Sequence, residues 1–160
     1  MTLKTINNMI TVDPILSFLS REHKYAVVGV SRDKKKFGRM AFDSLKKNGY
    51  DVIPVNPAVS EIDGCEVYPS LREIPADVKR VILFTPKARS IDVLKQAKEI
   101  GATHVWLQQS CDTPEAIDYG KSAGFQFIHG HCIFMINEPV NGFHKFHRSM
   151  KRFFGGFPKQ

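Results

Sequence analysis

The 160-residue sequence has few cysteines, a shortage of acidic residues and no long apolar run, and each lack narrows what the chain can be. Its three cysteines, Cys65, Cys111 and Cys132, are odd in number and far apart, which excludes a disulfide framework and places the chain in a reducing compartment, the cytoplasm. Apolar stretches such as Tyr25 to Val30 and Val81 to Phe84 fall well short of the roughly 20 residues needed to span a membrane. The first twelve residues lack the basic start, apolar segment and small-residue cleavage site of an export signal, so no export is expected. What remains is a composition with 42% hydrophobic and 24% charged residues, ordinary for a single soluble domain with a packed core.

Acidic residues number 16 against 23 lysines and arginines, a formal charge of +7. The excess is concentrated in two places. Arg32, Lys34, Lys35, Lys36 and Arg39 crowd one loop, while Lys145, Arg148, Lys151, Arg152 and Lys159 lie in a tail with no acidic residue from Phe143 onward. These two clusters divide the chain into a domain over residues 1–140 and a basic tail over 141–160.

Asp13-Pro14 reads as a helix start, with Ile15, Leu16, Phe18 and Leu19 on one side of a short helix reaching about Arg21. From Tyr25 a continuous apolar run ends in Gly29-Val30-Ser31, as for a strand buried on both faces. A helix is expected over Phe37 to Asn48, stopped at Asn48-Gly49, then a strand over Asp51 to Val55. Val81 to Phe84 is the third strand, followed by a helix over Ala88 to Ile100 with Gly101 as its stop. His104 to Leu107, a helix opened by Thr113-Pro114-Glu115 and ending near Gly124, and a strand over Phe125 to Ile128 complete the alternation. Five strands joined by helix-length crossovers imply an α/β fold: a doubly wound parallel sheet covered on both faces.

In such a sheet the binding crevice lies beyond the carboxyl ends of the strands, where the strand order reverses. After the first strand come Gly29, Val30, Ser31 and Arg32, then Lys36 and the helix start at Phe37. A glycine that admits close backbone approach, a hydroxyl, cations and free helix amides together suit a phosphate. The solvated-charge reading of the lysine run is the alternative. A dinucleotide fingerprint requires G-x-G-x-x-G and a carboxylate at the end of the second strand. Ser31 stands in the second glycine's place, and Val55-Asn56-Pro57 supplies no carboxylate. NAD is therefore disfavoured, a ligand richer in phosphate such as coenzyme A is favoured, and NADP stays open on charge alone.

The segments Gly29-Val30-Ser31-Arg32, Gly49-Tyr50-Asp51-Val52 to Val55-Asn56-Pro57, Tyr68-Pro69-Ser70-Leu71 with Ile74-Pro75, and Val105-Trp106-Leu107-Gln108 resemble the small stand-alone CoA-binding proteins. These are similar to the amino-terminal CoA-binding domain of the succinyl-CoA synthetase α subunit. The resemblance runs from about Asp13 to Cys132 and implies a Rossmann-type fold with coenzyme A or an acyl-CoA at the strand carboxyl ends. It implies that Gly29, Ser31, Arg32 and Lys36 surround phosphates, that Val55, Asn56 and Pro57 lie near the nucleotide, and that Thr85 and Pro86 lie beside the ligand's middle. The run Lys34-Lys35-Lys36 and the tail after Cys132 depart from that pattern. The ligase chemistry of the larger relative uses a phosphorylated histidine in a second domain, for which this chain has no room, and activity does not travel with a fold.

No nucleophile, base and orienting group stand at readable spacing, so the expected role is a non-catalytic binding or regulatory module. An NADP-dependent oxidoreductase or a CoA-linked enzyme is the first alternative. His129, His131 and Cys132, with Cys65 or Cys111, suggest a zinc site only loosely, and His144 and His147 likewise; no metal is expected. Cys132 reads as a small buried hydrophobe before a reactive thiol, and Trp106 as core. Phe143, Phe146, Met150, Phe153 and Phe154 recur at helical spacing among the tail's cations. This basic amphipathic helix would dock on the domain or on a second copy in a homodimer; contact with nucleic acid or membrane is the alternative.

Overall fold

The computed structural model describes residues 13–137. Within them the chain runs β1 (Lys24–Val28), α1 (Phe37–Lys47), β2 (Asp51–Val55), β3 (Glu61–Ile62), β4 (Cys65–Glu66), β5 (Arg80–Leu83), α2 (Lys87–Glu99), β6 (His104–Leu107), α3 (Pro114–Ser122) and β7 (Gln126–His129). Five parallel strands form one sheet in the order β2-β1-β5-β6-β7. The chain leaves β1 toward β2 and then returns to the other side of β1, so the order reverses between β1 and β5. This is the doubly wound, Rossmann-like arrangement expected from the alternation of apolar strand and amphipathic helix.

Side chains alternate across the strands, and each face has its own cover. Tyr25, Val27, Ile82, Trp106 and Ile128 face α1, whose Ala41, Phe42 and Leu45 are buried against them. Ala26, Val28, Val81, Leu83, Val105 and Leu107 face α2 and α3 through Val93, Leu94, Ala97 and Ala116. Most of these side chains are fully buried. Truncating a leucine to alanine in such a setting costs about 2–5 kcal/mol, so either layer alone contributes a large share of a domain's net stability. Trp106 is fully buried and packs on Phe18 at 5.3 Å between centroids, as expected of a core residue. Among the described residues its Nε1 meets no acceptor.

β2 is an edge strand, paired with β1 from Lys24↔Asp51 to Val28↔Val55. Pro54 sits in it without interrupting the ladder. Gly29 N donates to Val55 O at 2.8 Å, so Val55 faces β1 and its neighbour Pro54 faces outward, where no strand needs its missing N–H. On that outer side Tyr68 N donates to Pro54 O at 3.1 Å and Asn56 N to Tyr68 O at 2.9 Å.

Two expectations need correction. The segment after Asp13 forms one turn instead of a helix to Arg21. Asp13 Oδ1 accepts from Ile15 N at 2.9 Å as an N-cap would, and Ser17 N donates to Asp13 O. The helix goes no further because Tyr25 takes a donor it needs: Ser20 N, which a helix would bond to Leu16 O, donates to Tyr25 Oη at 2.7 Å, while the Tyr25 hydroxyl and the Arg80 guanidinium converge on Phe18 O. Second, between β2 and β5, where the sequence pattern suggested no strand, stands the antiparallel pair β3 and β4. Its two-residue turn is Asp63-Gly64, both with positive φ (47° and 77°). Asp-Gly is the preferred dipeptide for such a turn, and this signal stood unread in the sequence. The expected tail helix and its division at residue 141 lie outside the described residues.

Candidate functional site

Beyond the carboxyl ends of β1, β2 and β5, at the strand-order reversal, a cleft of about 560 Å³ opens. Its floor is Val28-Gly29 and Phe84, and one wall is Val55 to Ala58. The start of α1, Lys36 to Gly38, forms another side, and Thr85, Pro86 and Arg89 at the start of α2 face it. The far end is made by Pro69, Ser70, Gln96, Ser110 and Cys111. The size is that of a small-molecule site.

Two glycines let the floor and the start of α1 meet. Gly29 has φ of 96°, a conformation closed to side chains, and a Cβ there would strike the Phe84 carbonyl. On Gly38 a Cβ would stand 2.5 Å from Gly29 O and 2.9 Å from Phe84 Cβ. The first turn of α1 therefore lies directly on the end of β1. Gly38 plays the close-packing part of a fingerprint's last glycine, but nine residues after Gly29, outside the G-x-G-x-x-G spacing.

Neither helix that starts at the cleft is closed by its own sequence. α1 begins after Lys36 and α2 after Pro86; neither residue caps with a side-chain hydrogen bond, and neither first turn holds an acidic residue. No aspartate or glutamate lines the cleft among the described residues. Lys36 and Arg89 line it, exposed and without a side-chain hydrogen bond or ion pair among the described residues. The cleft therefore carries positive potential from two helix ends and two cations, uncompensated by protein carboxylates.

Of the residues expected here, Gly29, Ser31, Lys36, Phe37, Val55, Asn56, Pro57, Thr85 and Pro86 line the cleft. Val30 and Arg32 do not. Val30 is fully buried in the core, and Arg32 reaches away so that its Nε donates to Glu61 O at 3.4 Å. Arg39, counted with the loop's free cations, is instead buried within α1 and bound to Asp43 and Asp63. Gly38, Arg89 and Ser110 went unread; for Arg89 the signal was a cation in the first turn of a helix that starts right after a strand end.

Several lining groups are already committed. Asn56 Nδ2 donates to Val30 O at 2.8 Å while its Oδ1 accepts from Ala58 N at 2.9 Å, so it shapes the wall. Ser90 Oγ donates to Cys111 O at 2.7 Å, which leaves Thr85 Oγ1 as the donor in their 3.1 Å contact. Burial pushes the Cys111 thiol up to about 11 and raises Cys132 as well, so both are protonated at neutral pH. His129 stacks on Phe127 at 5.5 Å, and burial lowers its pKa. Among the described residues no three His, Cys, Asp or Glu side chains gather closely enough to hold a metal ion. No helix among them is long and apolar enough to cross a membrane.

A family model described as a CoA binding domain matches residues 23–138. An uncharacterized Bacillus subtilis protein, YneT, is 31% identical over 119 residues, covering 74% of this chain and 88% of its own. The α subunit of an ADP-forming acetate-CoA ligase II from Pyrococcus furiosus is 28% identical over 138 residues, and this chain spans 30% of its length. A solved structure of a conserved hypothetical protein from Pyrococcus furiosus superposes with a TM-score of 0.67 at 34% identity, covering 71% of this chain and 97% of the other.

Proposed function

The chain belongs to the CoA binding domain family, and on that premise we propose that its cleft takes coenzyme A or an acyl-CoA, as a binding or regulatory module without catalysis of its own. The observation that carries this reading is the pair of uncapped helix starts, with Lys36 and Arg89 beside them and no carboxylate in the lining among the described residues. Coenzyme A brings a pyrophosphate and a 3′-phosphate, and its several negative charges match that field. The position where a ribose-binding carboxylate would stand for NAD holds Asn56, whose amide is spent on the loop. The lining also speaks for binding over chemistry. Among the described residues it contains no histidine, aspartate or glutamate to serve as a base, and the Cys111 thiol is protonated.

Calorimetry with coenzyme A, dephospho-CoA, NAD and NADP tests the reading. Coenzyme A should bind most tightly, with dephospho-CoA weaker by the loss of a charge-assisted contact. Binding of NADP without coenzyme A would overturn it.

A further inference from the structure

The buried Arg39 does not line the cleft, yet it joins the loop after β1, whose Ser31 does, to the β3–β4 hairpin beyond it. It is 2% exposed, deep in the first turns of α1. Its Nε donates to both Asp43 oxygens at 2.9 and 3.0 Å, one helical turn on. Nη1 donates to Arg32 O at 3.1 Å and Ser31 O at 3.5 Å, in the loop after β1. Nη2 pairs with Asp63 in the turn of the β3–β4 hairpin. Two further contacts run the same way: Arg32 Nε to Glu61 O, and Lys34 with Asp63 at 4.0 Å.

A guanidinium is the one side chain that can serve these partners together, because its five donors spread in a rigid plane. The hairpin lies outside the cleft, with Ile62 in the α1-side core. Beside the apolar cluster that holds Val30, Ile62 and Val67, its other polar contacts with the loop are exposed, and such contacts contribute little. We propose that Arg39 is a positioning residue: it holds the loop at Ser31-Arg32 and the hairpin turn at Asp63 as one body, so a ligand seated on the loop is sensed at the hairpin surface. This rests on the reading that the cleft binds coenzyme A. It makes the hairpin the outward face that reports occupancy.

Hydrogen exchange followed by mass spectrometry, on peptides covering 30–36 and 60–67, tests it in the full chain. In the wild type, saturating coenzyme A should slow exchange in both peptides. In Arg39→Lys, which keeps the charge but loses the fork, slowing should be confined to 30–36, and affinity should fall about five- to tenfold. Asp63→Asn removes the ionic end from an exposed residue whose replacement tolerates positive φ, so it tests the link if Arg39→Lys folds poorly. It should speed exchange of both peptides at least threefold without ligand. Equal hairpin slowing in the wild type and both variants, or unchanged ligand-free exchange in both, would overturn the proposal. Failure of the wild type to bind coenzyme A would instead remove the functional reading, while the ligand-free comparison would still decide whether Arg39 joins the two segments.

Discussion

Three helices begin at the carboxyl edge of the same sheet, and they begin differently. α3 closes itself: Thr113 Oγ1 accepts from Ala116 N at 3.1 Å, Pro114 takes the first turn and Glu115 adds negative charge beside the free amides. α1 and α2 have none of this. Capping contributes about 1 kcal/mol per helix, so its absence at two starts is a measurable loss of stability. Both of those starts open on the cleft. The lesson is that helix-start chemistry separates a structural end from one that waits for an outside anion.

The contrast can be broken most severely at the glycine that seats α1. Gly38→Ala forces a methyl group against Gly29 O. It should cost about 1–3 kcal/mol by overpacking and lower the melting temperature by several degrees. Binding of coenzyme A should be lost with it; calorimetry and thermal denaturation read both. Next in size, Lys36→Asp gives α1 the cap it lacks. Stability should rise by about 0.5–1 kcal/mol in a denaturant titration while affinity falls at least tenfold, since a phosphate partner is replaced by a repelling carboxylate. A variant that gained stability and kept affinity would show that the open start serves no ligand. The mirror experiment is Thr113→Ala, which should cost about 1 kcal/mol and leave affinity within twofold.

The smallest effect concerns pH. Burial lowers the pKa of His104 on β6 and His129 on β7 below 6.5, so the folded chain binds fewer protons there than the unfolded chain. Their contribution is fully present above pH 6.5. It is lost as the pH falls from 6.5 through the lower folded values. Denaturant midpoints at pH 7.5 and 5 should therefore differ, and less so in the double variant His104→Gln, His129→Gln. Both rings lie on the α3 half of the sheet, so those variants should leave coenzyme A affinity unchanged.

The strands and main helices were legible because their signals are local. Asp51 to Val55 and His104 to Leu107 appear where their apolar runs put them, and Thr113-Pro114 starts α3 as its capping pattern dictates. The reading went astray where a distant residue decides. The turn after Asp13 yields the Ser20 N–H to Tyr25 Oη, and no pattern within residues 13–21 encodes that. Arg39 looked like one more loop cation because its neighbours in sequence are basic; its true neighbours, Asp43 and Asp63, lie one turn and 24 residues away. Gly29 and Lys36 were readable because the fold puts loop residues at strand ends around the crevice, and Asn56 because the family resemblance placed it there. Gly38 required knowing how closely α1 approaches β1. The Asp63-Gly64 turn was the exception: a local signal missed for want of flanking strands longer than two residues.

Pro54 sets a direction for the whole sheet. With its ring on the outer side of β2 and Tyr68 already bonded to its carbonyl, that margin offers an incoming chain a broken row of donors and acceptors. The margin at β7 contains no proline. Among the described residues only the β2 margin is closed in this way, so an added strand, from a neighbouring copy or an aggregating fragment, is turned away from the wall that frames the cleft and toward Gln126–His129 on the opposite side of the sheet.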